Sequence, residues 1–113
     1  MITLVCGGRD FNDWVLFNTA MNLLPFKPTV IVHGEAKGAD TMAKQWAMSR
    51  GIYAVGIPAL WNYHGNKAGP KRNQAMLDIM KIEYCVAFTG ATGTRDMIER
   101  CNENKIPVWS PYD

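Results

Sequence analysis

Five short runs of apolar residues recur along the chain, and segments with helical spacing separate them. The runs are rich in valine and isoleucine, and most are apolar at successive positions rather than at alternating ones. This pattern is typical of strands that are buried on both faces of a parallel sheet. The predicted strands cover residues 2–6, 29–33, 53–57, 83–88 and 106–110.

Helical spacing is clearest in the second segment between these runs. There Ala39, Ala43 and Ala47 recur at every fourth position, and Gly51 follows as a stop signal. The predicted helices cover residues 13–24, 40–50, 71–82 and 94–104. Regular alternation of strand and helix predicts right-handed βαβ crossovers. We therefore expect a Rossmann-like three-layer α/β/α sandwich, with about five mainly parallel strands and four helices.

Length and composition favour a single domain over residues 1–113, because 48% of the residues are hydrophobic and no linker or repeat interrupts them. No run approaches the roughly 20 apolar residues that span a bilayer. The first residues lack the basic stretch of a signal peptide, so we expect a cytoplasmic protein without a membrane partner. Cys6, Cys85 and Cys101 have no metal-binding spacing and are interpreted as reduced, buried thiols, with no metal or cofactor expected.

Three of the predicted strand-to-helix loops are rich in glycine: "CGGRDF", "HGEAKGAD" and "TGATGTRD". A parallel sheet brings such loops to one edge, where exposed amides at helix N-termini bind anions. The candidate ligand-binding residues here are Gly7, Gly8, Arg9, Asp10, Gly34, Gly38, Asp40, Thr89, Gly90, Gly93 and Thr94. The alternative is a set of tight turns, with Thr94 as an N-cap or first-turn hydroxyl. Asp40 either caps the second helix or binds a ribose hydroxyl.

One connection, "PALWNYHGNKAGP" (58–70), exceeds the usual length of about two to six residues, and long loops in compact domains are often functional. Its Trp61 either stacks on a base or covers the edge of the core. Pro70 suits the first turn of the following helix, which would direct cations at the helix start toward the same edge. The candidate ligand-binding residues of this region are Trp61, Lys71, Arg72 and Asn73.

Charge along this edge is mixed, since half of the twelve cations lie in or beside the loops together with several carboxylates. A mixed edge suits a phosphorylated nucleoside, with cations for phosphate and carboxylates for hydroxyls. A nucleic acid partner is not expected, because a DNA backbone track needs uncompensated positive charge.

Taken together, "CGGRDF", "HGEAKGAD", "PALW…G..AGP.RN..M" and "AFTGATGTRDM" resemble the YspA-type, cpYpsA-related branch of the SLOG superfamily. That superfamily also contains the LOG cytokinin-activating phosphoribohydrolases and the DNA-processing protein DprA. The resemblance implies a Rossmann-like fold that binds a nucleotide or a ligand derived from NAD or ADP-ribose. It also implies a homodimer or a higher homo-oligomer.

In the LOG enzymes, a Gly-Gly-x-Gly-Thr-x-Glu motif binds phosphate and supplies a catalytic carboxylate, assisted by an upstream arginine. Here "GATGTRD" and "PKRNQAM" match these elements, so the resemblance implies Asp96 and Arg72 as the catalytic pair. Two positions depart from the pattern. Ala91 replaces the second glycine, and Asp96 is one methylene shorter than glutamate.

Three functions follow as hypotheses. The first is a nucleotide sensor or sequestering protein, suggested by several glycine-rich loops without a paired acid and base. The second is N-glycosidic hydrolysis of a nucleoside 5′-monophosphate, with Asp96 stabilising a cationic sugar or activating water. The third is single-stranded DNA binding, by analogy with DprA.

Overall fold

The five predicted strands form one sheet in the computed structural model, which describes all residues from Met1 to Asp113. The strands are β1 (Ile2–Cys6), β2 (Val30–His33), β3 (Tyr53–Gly56), β4 (Tyr84–Ala87) and β5 (Val108–Trp109). The helices are α1 (Trp14–Asn22), α2 (Ala39–Ser49), α3 (Trp61–His64), α4 (Ala68–Ile79) and α5 (Thr92–Glu103). All neighbouring strands pair in parallel, which confirms the predicted fold class.

The order of strands in the sheet is β3-β2-β1-β4-β5. The chain therefore builds outward from β1 to β3, returns, and completes the sheet on the other side with β4 and β5. The order reverses between β1 and β4, where Cys6 is paired with Ala87. In open α/β sheets, ligands bind at the carboxyl ends of the strands beside such a reversal.

Two hydrophobic cores separate the sheet from its helices. Val5 of β1 faces the core formed with α1 and α2, where Phe17 is fully buried. Leu4, the preceding residue, faces the core formed with α4 and α5, where Met97 is buried. Successive residues of a strand point to opposite faces, so the unbroken apolar runs reflect burial on both sides.

The four long helices occupy the predicted segments, but α4 begins at Ala68 and ends at Ile79, three residues earlier at both ends than the predicted 71–82. Ala68 is buried, so packing extends the helix beyond its sequence signal. Pro70 lies in the first turn of α4, as predicted, where its missing N–H leaves no hydrogen bond unmade. The long connection is also more ordered than predicted, since it forms α3 and a 3₁₀ turn at Gly65–Lys67.

The three cysteines are buried and free, as predicted. Cys6, Cys85 and Cys101 lie in the same core, and the sulfur atoms of Cys6 and Cys85 are 3.9 Å apart. No cluster of three or more His, Cys, Asp or Glu side chains is arranged to hold a metal ion. None of the helices combines the length and apolar character that a membrane crossing requires.

Candidate functional site

A cleft of about 820 Å³ opens at the carboxyl ends of β1 and β4, where the strand order reverses. Its floor contains Val5 and Cys6, and its walls are the loops that follow β1, β2 and β4 together with the start of α4. The strand order thus brings together loops that are far apart in the sequence. The predicted ligand edge is a real concavity, and its volume is typical of small-molecule sites.

All the predicted ligand-binding residues line this cleft except Gly38 and Lys71, and the predicted catalytic residues Asp96 and Arg72 line it too. Gly38 lies behind the loop of β1, against the carbonyl oxygen of Gly8. Lys71 is exposed outside the cleft. Neighbouring helical residues point about 100° apart, so Lys71 and Arg72 cannot both face the same wall.

The glycine loops are packed against each other, which differs from the predicted reason for their glycines. The Gly8 amide donates to the carbonyl of Thr89 at 2.9 Å, and the Gly8 carbonyl accepts from the amide of Ala39 at 3.3 Å. A Cβ on Gly8 would lie 2.8 Å from the Thr89 oxygen. The start of α2 is therefore covered by main chain, and the second glycine loop does not offer its helix N-terminus to an anion.

The N-terminus of α5 is open. Its N-cap is Ala91, which supplies no side-chain acceptor, and a Cβ on Gly93 would meet nothing within 4 Å. Thr94 lies in the first turn rather than at the cap, with its hydroxyl against Gly90. Uncapped first-turn amides and the positive end of the helix dipole attract anions. Of the three glycine loops, this one combines open space with an uncapped helix.

Arg72 is fixed inside the cleft by two hydrogen bonds. Its Nη1 donates to the carbonyl oxygen of Gly34, and its Nε donates to Oδ1 of Asn73 at 3.0 Å. Nη2 has no acceptor within the protein, and no carboxylate forms an ion pair with the guanidinium. Burial lowers the pKa of Arg72, which reflects the cost of a partly desolvated cation. The arrangement leaves an oriented positive charge available to a ligand.

Asp40 is a buried carboxyl that lines the cleft and does not cap α2, since Gly38 is the N-cap. Its Oδ2 instead accepts the amide of Ala36 at 3.1 Å, which closes the loop before the helix. The capping interpretation is therefore wrong. Burial raises the pKa of Asp40 to about 6, although the Ala36 amide and the nearby Arg72 act in the opposite direction.

Asp96 is held in place through one of its two oxygens. Oδ2 accepts from Nε of Arg100 at 2.8 Å and from Nδ2 of Asn73 at 2.9 Å, whereas Oδ1 has no partner. Burial alone would raise the pKa of this carboxyl, but the bonds from Arg100 and Asn73 outweigh it and lower the pKa. Asp96 is therefore an ionised carboxylate with a fixed orientation.

Asn73 and Arg100, the two residues that bond to Asp96, differ from the sequence-based prediction. Asn73 also donates to the carbonyl of Gly93 at 3.3 Å, so its amide binds α5 rather than facing the ligand space freely. Arg100 was not predicted as a site residue. Its position four residues after Asp96 on a helix is a recognised ion-pair spacing, and this signal was present in the sequence.

Trp61 lines the cleft and is 47% exposed, so about half of its surface is accessible. The guanidinium of Arg9 lies over its ring, 5.4 Å from the centroid. This cation–π contact joins the loop after β1 to α3 across the opening. Asp10, which is exposed, lines the same region.

A parallel sheet with an open cleft at its reversal point defines a Rossmann-like α/β domain. The chain belongs to the YspA, cpYpsA-related SLOG family (YAcAr), whose sequence model matches residues 1–64. It is also similar to the Gene 61 protein of Mycobacterium phage D29, with 32% identity over 116 aligned residues. That alignment covers 93% of this chain and 91% of the phage protein, so it extends into α4 and α5. Family membership is consistent with a nucleotide-related ligand.

Proposed function

We propose that this protein binds a nucleotide, or a ligand derived from NAD or ADP-ribose, as a sensor or sequestering protein. The observation that carries the proposal is the guanidinium of Arg72, which is oriented by Gly34 and Asn73 and has no carboxylate partner. It lies in the same cleft as the uncapped start of α5. Phosphate matches both features, because it accepts from guanidinium N–H groups and from first-turn amides.

The remaining walls suit the rest of a nucleotide. The exposed ring of Trp61 provides a surface on which a base can stack, and Arg9 already occupies one of its faces. Asp10 offers a carboxylate to ribose hydroxyls from the same side of the cleft. The proposed ligand therefore lies with its phosphate at α5 and its base toward α3.

Thermal unfolding with added ligands tests this proposal. We expect at least one of AMP, NAD and ADP-ribose to raise Tm by several degrees, because a ligand at about 100 times Kd adds about 2.7 kcal/mol of stability. Adenosine, which lacks phosphate, should give a much smaller shift. The proposal fails if none of these compounds raises Tm, or if adenosine raises it as much as AMP does. Mass spectrometry of small molecules released from the purified protein would identify a co-purified ligand.

A second candidate function is N-glycosidic hydrolysis of a nucleoside 5′-monophosphate. It is favoured by the fixed geometry of Asp96, which lines the cleft and whose Oδ2 is held by Arg100 and Asn73 while Oδ1 has no hydrogen-bond partner. An oriented carboxylate of this kind can stabilise a cationic sugar or accept a proton from water. Arg72 would hold the 5′-phosphate in either function.

We expect Asp96→Asn to slow release of free base from AMP by at least about 100-fold, since the variant removes the charge but keeps the shape. Chromatography of the products measures the rate. Glu99→Gln is the matched control, because Glu99 is an exposed carboxylate on the same helix and should have no effect. Equal rates for Asp96→Asn and the wild type, or no base released by the wild type, would exclude this function.

We further propose that residues 1–113 act as one cytoplasmic domain and pair into a homodimer or higher homo-oligomer. All five strands share one sheet, which supports a single unit. Trp14, Val15 and Leu16 expose apolar surface on α1, which supports association. Sedimentation equilibrium would show a monomer if the pairing proposal is wrong.

A further inference from the structure

Asp40 is a buried carboxyl directly beside the proposed anion site. Only 6% of its surface is exposed, and it lines the same cleft as Arg72. Both side chains lie against Gly34, because a Cβ there would collide with the guanidinium and would lie 3.0 Å from Oδ2 of Asp40. They do not form an ion pair. An anion bound at Arg72 would therefore become a close neighbour of this carboxyl.

The charged groups that act on Asp40 come from two other elements. Arg72 approaches from α4, and Arg9 approaches from the loop after β1. From the loop that precedes α2, the amides of Gly34 and Ala36 are directed at the carboxyl. Burial is the largest effect and raises the pKa of Asp40 to about 6, although these cations and amides each lower it. Its protonation can therefore change close to neutral pH, whereas Asp96, with its lowered pKa, remains ionised.

We propose that the cleft takes up a proton on Asp40 when an anion binds at Arg72. This inference rests on the proposed function, because it requires an anionic ligand in the cleft. A bound anion repels the ionised Asp40 carboxylate. It also partly neutralises Arg72, which weakens the attraction of that cation for the carboxylate. Both effects disfavour the ionised carboxyl. The proton comes from solvent and stays on Asp40, and no bond of the ligand changes.

The sign of the pH dependence follows from linkage. Since the pKa of Asp40 is higher in the complex than in the free protein, binding takes up protons and affinity increases as pH falls. This gain is lost as pH rises through the pKa of the complex. If binding raises the pKa by about one unit, affinity increases by about sixfold between about pH 7.5 and about pH 5.5.

Calorimetric titration of the wild type with ADP-ribose, and separately with inorganic sulfate, tests the inference. Neither probe gains or loses a proton in this pH range, unlike a phosphomonoester. Near pH 6.5, in buffers with different heats of ionisation, the dependence of the binding heat on the buffer gives the number of protons taken up. We expect about half a proton per bound anion, which corresponds to the one-unit shift.

The variant Asp40→Asn cannot take up this proton, so its binding heat should not depend on the buffer. Asp78→Asn is the control, because Asp78 is an exposed carboxylate on α4 and lies outside the cleft. If Asp40→Asn does not fold, NMR titration of the aspartate carboxyl carbons in the wild type, with and without sulfate, replaces it. Binding without proton uptake overturns the inference and leaves the proposed function intact. Failure of both probes to bind overturns the inference, and the proposed function falls with it only if AMP and NAD also leave Tm unchanged.

Discussion

Replacing Gly38 by alanine is expected to lower the free energy of unfolding by about 3 kcal/mol. Gly38 has a φ of +77° and a ψ of −123°, a region that glycine occupies readily but where a Cβ costs roughly 1–3 kcal/mol of backbone strain. The new Cβ would also collide with the carbonyl of Gly8 and lie 2.7 Å from that of Arg9, so main chain would have to move. Such overpacking costs about 1–3 kcal/mol. Urea denaturation of the wild type and the variant measures the difference.

Gly51→Ala provides a control for a positive φ without a collision with main chain. Gly51 has a similar φ of +65°, but a Cβ there meets nothing within 4 Å. We expect this variant to lose only the backbone contribution, about 1–2 kcal/mol. Equal losses in the two variants would show that the contact between the loops after β1 and β2 does not hold this side of the cleft in place.

Gly38 also illustrates what the sequence could predict and what it could not. The pattern located all three glycine loops, but it could not distinguish a glycine that approaches a ligand from one that approaches main chain. Gly8 and Gly38 both approach main chain, because loops that are remote in the sequence meet at these two glycines. Gly93 has open space at its Cα. Only the strand order decides which loops touch, and the apolar runs carry no information about that order.

The strands and long helices were predictable because burial on both faces leaves long apolar runs. The ends of the strands and helices were less predictable, because they depend on which segments of the chain each element contacts. The last apolar run, residues 106–110, forms only the short edge strand Val108–Trp109. Ile106 is excluded from it because its amide bonds to the carbonyl of Cys101 at the end of α5. α3 was missed because a helix of four residues is too short to show periodicity.

Arg72→Met is expected to weaken the binding of ADP-ribose by at least about 30-fold, because truncating one partner of a buried charged hydrogen bond costs about 2–5 kcal/mol. Stability should change by only about 1 kcal/mol, since the removal of an unpaired, partly desolvated cation offsets the two hydrogen bonds that are lost. Calorimetric titration measures the affinity, and thermal unfolding without ligand measures the stability. A large loss of affinity with little loss of stability identifies a side chain held in place for a ligand.

Lys81→Met is the matched control, because it removes one exposed positive charge just beyond α4 without touching the cleft. We expect less than about a twofold effect on affinity, since exposed charges beyond a Debye length are screened at physiological salt. Equal weakening in both variants would mean that the net charge of the protein, rather than contact with Arg72, attracts the ligand. If Arg72→Met binds ADP-ribose as tightly as the wild type but loses several kcal/mol of stability, the guanidinium serves only to connect Gly34 and Asn73, and the anion site lies elsewhere in the cleft.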